Sequence, residues 1–236
     1  MKTVILCGGY GTRLAEETKI KPKPMVKIGK EPILEHILNI YRGYKFKDFV
    51  LALGYKSEYI KDYYKKKKKK KINLVYTGKN TMTGGRLLRL KKYLKDEETF
   101  MLTYGDGVAD VNIKDLLKFH KSHGKLLTMT SAQPDGRFGA LDIDDKNKVN
   151  EFKEKPKGDG SWINAGYFVC EPEVFEYIKE GDETVFEQSP LRNLAKKGEI
   201  YTYKHNSFWM PMDTIRDKNV LNDLWLNNKA AWKTWK

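Results

Sequence analysis

Short apolar runs and amphipathic stripes follow one another through the first half of the chain. Thr3-Val4-Ile5-Leu6-Cys7, Phe49-Val50-Leu51-Ala52-Leu53 and Phe100-Met101-Leu102-Thr103-Tyr104 are near-continuous apolar runs, the pattern of strands buried on both faces. Between the first two, residues 33–41 carry apolar side chains at helical spacing, a stripe that faces a sheet. His36 falls beside that stripe and is expected on the helix surface. Further helices are expected over 58–64 behind an N-cap at Ser57, from about residue 81 with Leu87, Leu88, Leu90 and Tyr93 inward, and over 113–123 between Asn112 and Gly124. With a strand over 72–76, strand and helix alternate, which argues for a doubly wound α/β sheet, Rossmann-like and flanked by helices.

From Leu126 the rhythm changes. Strands are expected over 127–132, 140–143, 149–152, 163–170 and 200–203, interrupted by helices over 172–178 and 190–197 whose prolines suit first-turn positions. A last helix is expected from about 215 to 229. No linker rich in Pro, Gly or Ser separates the halves. The chain therefore reads as a single domain, 1–236, in which an α+β C-terminal extension continues the same mixed sheet.

Composition changes this picture little. Hydrophobic residues make up 40% and charged residues 32%, ordinary for a globular protein. No apolar run approaches a membrane span and no signal peptide is read at Met1-Lys2-Thr3, so no membrane partner is expected. Cys7 and Cys170 lie in apolar runs and are expected to be reduced core residues of a cytoplasmic protein. The net charge of +14 raises nucleic-acid binding. Yet half of that excess sits in one homopolymeric run, Lys65 to Lys71, with no interleaved aromatic residue to stack on a base. Such a run is expected to be an extended, solvated stretch, and no specific nucleic-acid partner is expected.

Candidate chemistry begins at the end of the first strand. Gly8-Gly9-Tyr10-Gly11-Thr12-Arg13 is a glycine-rich loop whose backbone N–H groups can close around an anion. Arg13 adds a planar donor fork and Lys23, in Lys21-Pro22-Lys23-Pro24, a point charge. The loop is neither of the two common phosphate motifs. Counted from Gly8, Arg13 stands where the Walker loop needs its second glycine, and Leu14 stands where the dinucleotide fingerprint needs its third glycine. On its own the loop is equally a tight strand-to-helix turn with an incidental arginine.

Asp106, between Gly105 and Gly107, directly follows a buried strand. Ligands of open α/β sheets bind at the carboxyl ends of strands, so this carboxylate is placed to hold Mg²⁺ against a polyphosphate. A plain turn is the competing reading. Glu154-Lys155-Pro156 follows one expected strand and Asn164 begins another; a lysine there could hold a second phosphate and an amide could bond hydroxyls. Asp213 precedes the last helix and competes between metal ligand and N-cap.

Taken in order, these segments resemble the sugar-nucleotidyltransferase family and, within it, the glucose-1-phosphate cytidylyltransferase type. The resemblance rests on G-G-x-G-T-R-L…K-P-K-P-M at Gly8 through Met25, Y-G-D-G-V-A-D at Tyr104 to Asp110, and R-F-G-A-L, E-K-P-K-G and I-N-x-G beginning at Arg137, Glu154 and Ile163. It continues through F-W-x-P-M-D-T at Phe208 to Thr214 and W-K-T-W at Trp232 to Trp235, nearly the whole chain. In one respect the chain departs from that type, which carries a longer insert where the lysine run stands.

The resemblance implies a reaction: CTP and α-D-glucose 1-phosphate give CDP-glucose and pyrophosphate with Mg²⁺ as cofactor, feeding nucleotide-sugar and O-antigen or lipopolysaccharide synthesis. It implies that Leu6, Gly8, Gly9, Tyr10, Gly11, Thr12, Arg13, Lys23, Thr81, Arg86 and Gly105 bind the nucleotide. Gly139, Glu154, Lys155 and Asn164 would line the sugar-phosphate side, and Asp106 and Asp213 would share the metal. Arg13, Lys23, Asp106 and Lys155 are the expected catalytic groups. Residues 1–125 would form the nucleotide-binding half and 126–236 the sugar-phosphate half. A homo-oligomer is expected. The same chemistry with UTP, dTTP or another sugar phosphate stays open at this point, as does a non-catalytic nucleotide-binding protein on this fold.

Overall fold

The structure, a computed structural model, describes residues 1–67, 71–134, 136 and 138–235. Arg137 of the R-F-G-A-L segment and Lys68 to Lys70 of the lysine run lie outside the described residues. The frame is a seven-stranded sheet in the order Ile200–His205, Leu127–Ala132, Ile163–Cys170, Phe100–Tyr104, Thr3–Cys7, Phe49–Leu53, Ile72–Tyr76. Ile163–Cys170 runs antiparallel to both its neighbours, whereas the other pairings are parallel. The chain builds outward from Thr3–Cys7 through Phe49–Leu53 to Ile72–Tyr76, then crosses back to Phe100–Tyr104 on the other side of the first strand. The strand order therefore reverses between the ends of Thr3–Cys7 and Phe100–Tyr104, and such a reversal opens a crevice at the carboxyl ends.

Alternation along the central strands splits the core in two. Ile5, Cys7, Leu51 and Leu53 pack with the helix Ile33–Gly43 on one face. Val4, Leu6, Val50 and Ala52 pack with Leu87, Leu90, Val174 and Leu194 on the other. Both cysteines are buried and free.

Several elements differ from expectation. Among the described residues, Ala140–Ile143 and Val149–Lys153 pair only with each other and do not join the large sheet. Residues Pro172–Tyr177 form a 3₁₀ rather than an α-helix. The helix Ser57–Lys67 runs past Tyr64 into the lysine run, so Lys65 to Lys67 are helical rather than extended. Cations in a last helical turn face the negative end of the helix dipole, and Lys67 also pairs with Glu31 at 2.8 Å.

His36 is not on the helix surface. It is 2% exposed, with its ring 4.5 Å from Trp225 and about 6 Å from Trp232 and Trp235. The tail of the chain folds back over the helix and covers it, a long-range contact invisible to local periodicity. The Trp232 indole N–H donates to His36 Nδ1 at 3.3 Å, so Nε2–H donates to the Ile28 carbonyl at 3.0 Å and the ring is neutral. Burial pushes its pKa below the ordinary histidine value, against the smaller opposing pull of the Ile28 carbonyl and nearby carboxylates. The unfolded chain then takes up this proton more readily than the folded one. Stability from this ring is complete above about pH 6.5 and is lost as the pH falls through the folded value. Melting temperatures measured between pH 8 and pH 5 are expected to fall below about pH 6.5, and His36→Gln to flatten that limb. His123, whose pKa burial also lowers, keeps the limb from vanishing. An equally steep limb in the variant would remove His36 from this account.

Candidate active site

The crevice at the strand reversal is a cavity of about 1050 Å³. Its floor is the junction of the two central strands, where the Gly105 amide donates to the Leu6 carbonyl at 3.1 Å. A Cβ on Gly105 would lie 2.9 Å from that oxygen, so the close approach needs glycine. One wall is the loop Gly8–Arg13. Gly11 turns it with φ 65°, and a Cβ there would meet Thr18 and Lys23 at about 3 Å.

Lys23 stands at the centre. Pro22 is extended and Pro24 is the second residue of the short 3₁₀ turn Lys23–Met25, so the lysine enters the crevice from a constrained segment. Its ammonium donates to Asp106 Oδ2 at 2.7 Å and to Asp213 Oδ1 at 2.6 Å. Arg13 donates to the other oxygen of Asp213, also at 2.7 Å. Only 8% of the lysine side chain is exposed, against 71% of Arg13. Burial alone would lower the lysine pKa, but the two carboxylates outweigh it and hold the pKa above the ordinary value.

Residues so distant in sequence meet through a two-stranded ribbon. Trp209–Pro211 pairs antiparallel with Gly107–Ala109, and the Met212 amide then donates to the Asp106 carbonyl at 2.8 Å. Asp213 follows at once. It does not cap the last helix, Ile215–Leu226. Thr214 does so in a capping box with Asp217, whose carboxylate also accepts from the Asp213 amide at 3.0 Å. The Asp213 carboxylate is thereby left to face Lys23 and Arg13.

Arg86 is placed differently from a phosphate-binding arginine. Its guanidinium donates to the carbonyls of Gly8, Leu53, Gly78 and Lys79 and to the Thr77 hydroxyl, at 2.6 to 3.2 Å. A Cβ on Gly8 or Gly54 would lie within 2.4 Å of it. Arg86 thus ties the glycine loop to the neighbouring strand ends and forms a wall of the cavity.

Of the other residues singled out in the sequence, Leu6, Gly8, Gly9, Tyr10, Gly11, Thr12, Thr81, Gly105 and Asn164 also line the cavity. Gly139, Glu154 and Lys155 do not. They lie at the exposed hairpin, where Lys155 pairs with Glu154 at 3.4 Å and both side chains are about 60% exposed. Sequence reading missed Glu187, Thr83 and Trp209, which line the cavity as well. Glu187 lies between buried Phe186 and an exposed Gln188, and nothing in that stretch distinguishes it from an ordinary solvated carboxylate.

The arrangement offers backbone donors and cations for a polyphosphate, and two converging carboxylates at its reacting end. Arg86→Met leaves five acceptors without their donor, and burying unpaired carbonyls is costly. A drop in melting temperature and a loss of nucleotide affinity are expected together, the first by thermal denaturation and the second by calorimetry. An unchanged melting temperature with lost affinity would make Arg86 a direct ligand instead.

Comparisons with known proteins give the family. The family model described as nucleotidyl transferase matches residues 2–217. Glucose-1-phosphate cytidylyltransferase of Salmonella typhi is 49% identical over 258 aligned positions, covering all of both chains. The alignment is longer than this chain of 236 residues, so the relative carries residues that this one lacks. A probable glucose-1-phosphate cytidylyltransferase of Bacillus subtilis is 41% identical, again over both full lengths. Among solved structures, HddC from Yersinia pseudotuberculosis superposes with a TM-score of 0.76 at 26% identity, over 95% of this chain and 99% of that one. From strand order to loop motif to full-length similarity, the chain belongs to the nucleotidyl transferase family.

Proposed function

We infer that this protein transfers the cytidylyl group of CTP to α-D-glucose 1-phosphate, giving CDP-glucose and pyrophosphate. The observation that carries the reading is full-length similarity to glucose-1-phosphate cytidylyltransferases, joined to a cation–carboxylate centre at the strand reversal. A sugar-phosphate oxygen attacks the α-phosphorus in line, and pyrophosphate leaves. No covalent protein intermediate is required, so positioning and charge neutralisation supply the catalysis. The amides of Gly8 to Gly11 cradle the phosphates. Arg13 and Lys23 neutralise the charge that builds on the leaving pyrophosphate.

Asp106 and Asp213 fit a magnesium site. Their oxygens converge on one ammonium, both within 2.7 Å of it. Among the described residues no cluster of three or more His, Cys, Asp or Glu offers a closed cage, which suits an ion that takes one or two carboxylates and fills the remaining positions with phosphate oxygens and water. When bound there, Mg²⁺ would supply charge neutralisation on the phosphates. The reading includes a cytoplasmic homo-oligomer whose product feeds surface-polysaccharide synthesis. Both cysteines are buried and free, and no helix among the described residues is long and apolar enough to cross a membrane.

Pyrophosphate release measured with each of four nucleoside triphosphates against a panel of sugar 1-phosphates is expected to be fastest with CTP and glucose 1-phosphate. A preference for another pair overturns the substrate assignment.

Asp213→Asn is expected to lower kcat by about 100-fold or more, as loss of one transition-state charge partner does. Because Thr214 caps the helix, the helical circular-dichroism signal should stay at the wild-type level even where loss of one Lys23 partner lowers the melting temperature. Near-normal turnover at saturating Mg²⁺ would remove Asp213 from the centre.

A further inference from the structure

The cavity extends past Asp106 on the side away from the glycine loop. Phe100–Tyr104 lies between Thr3–Cys7 on one edge and Ile163–Cys170 on the other. The phosphate loop follows the first of these neighbours and Asn164 begins the second, so Asp106 stands between two compartments. In the second compartment the polar groups form one directed chain. Asn164 Nδ2 donates to the Tyr104 hydroxyl at 3.2 Å, and that hydroxyl donates to Glu187 Oε1 at 2.5 Å. The Thr83 hydroxyl donates to Glu187 Oε2 at 2.6 Å and itself accepts from the Phe186 amide at 2.9 Å. The Gly166 amide fixes Asn164 by donating to Oδ1 at 2.8 Å.

Counting donors and acceptors shows what remains for a ligand. A carboxylate accepts at about four lone-pair sites and an amide nitrogen donates twice. Each Glu187 oxygen has one protein partner, which leaves acceptor capacity on both, and Asn164 keeps one N–H. Tyr104 is already committed, as donor to Glu187 and acceptor from Asn164. The compartment thus presents free acceptors on an anion beside one free donor. A phosphate is repelled by that anion. A neutral ring carrying adjacent hydroxyls satisfies it, donating to Glu187 and accepting from Asn164.

We propose that Glu187, oriented by Tyr104 and Thr83, binds the hexose hydroxyls of the sugar 1-phosphate and sets specificity for a neutral, hydroxyl-bearing sugar. The inference rests on the function given above, since it names the part of the site that holds the acceptor substrate. Within this cavity, Glu187 and Asn164 are the members of the chain with capacity left for hydroxyls.

The test is steady-state kinetics of wild type, Glu187→Gln and Tyr104→Phe with CTP, glucose 1-phosphate and its monodeoxy analogues, with thermal denaturation of each. Losing a hydrogen bond to a charged group costs about tenfold or more in kcat/KM. Glu187→Gln is expected to raise KM for glucose 1-phosphate by about that factor, with KM for CTP moving less than about threefold. Wild type should discriminate against at least one monodeoxy sugar, and the variant should treat that sugar and glucose 1-phosphate alike. A smaller shift of the same kind is expected in Tyr104→Phe, which keeps the carboxylate but frees its orientation. Two results overturn the proposal: KM values for both substrates rising together, which marks a structural or nucleotide-side role, or deoxy-sugar discrimination that survives in Glu187→Gln. No turnover of any hexose 1-phosphate by wild type overturns the function itself, and this inference with it.

Discussion

The charges at the strand reversal converge on one buried ammonium. Lys23 sits in a crevice that excludes most solvent from it, and removing an ammonium from water costs several kcal/mol. The cost is met because two carboxylates approach it from different parts of the chain and Arg13 closes the charge count. Deleting any member leaves an uncompensated charge. The three segments that deliver these groups, the proline-framed loop, the end of Phe100–Tyr104 and the turn before the last helix, are therefore energetically one unit. In the proposed reaction the same charges are shared with substrates. The carboxylates pass to a metal, and the cations pass to the phosphates.

The fold exists to bring that unit together. Strand reversal opens the crevice, a three-residue ribbon carries Asp213 to Asp106, and the C-terminal segment packs against the helix Ile33–Gly43. Lys218 pairs with Glu17 and Asn222 accepts from the Gly29 amide, so the last helix is tied on both sides of the Lys23 loop. A Cβ on Gly29 would run into the Trp225 ring, which shows how closely the helix approaches.

Much of this was legible in the sequence because it is local. The buried strands, the helix Ile33–Gly43, the Asn112 cap and the glycine loop are each written within a few residues. What escaped was set by partners far along the chain. His36 reads as a surface residue until three tryptophans from the tail cover it. Asp213 competes in the sequence between metal ligand and N-cap, and the capping box that Thr214 and Asp217 form one residue later removes the second reading. Lys65 to Lys67 read as a solvated loop because like charges repel, but a helix already under way carries them in its last turn. Glu187 carries no local mark at all; its meaning comes from Tyr104 and Thr83, more than eighty residues away.

The central claim is that Lys23, Asp106 and Asp213 act as one electrostatic unit in which ammonium and metal compete for the same carboxylates. Binding of Mn²⁺, as a probe for Mg²⁺, to the nucleotide-free protein tests it, read by electron paramagnetic resonance for wild type and Lys23→Met. With the ammonium gone, both carboxylates are released, and Mn²⁺ affinity is expected to rise at least about tenfold, the equivalent of roughly 1.4 kcal/mol. Unchanged or weaker Mn²⁺ binding in the variant would contradict the account.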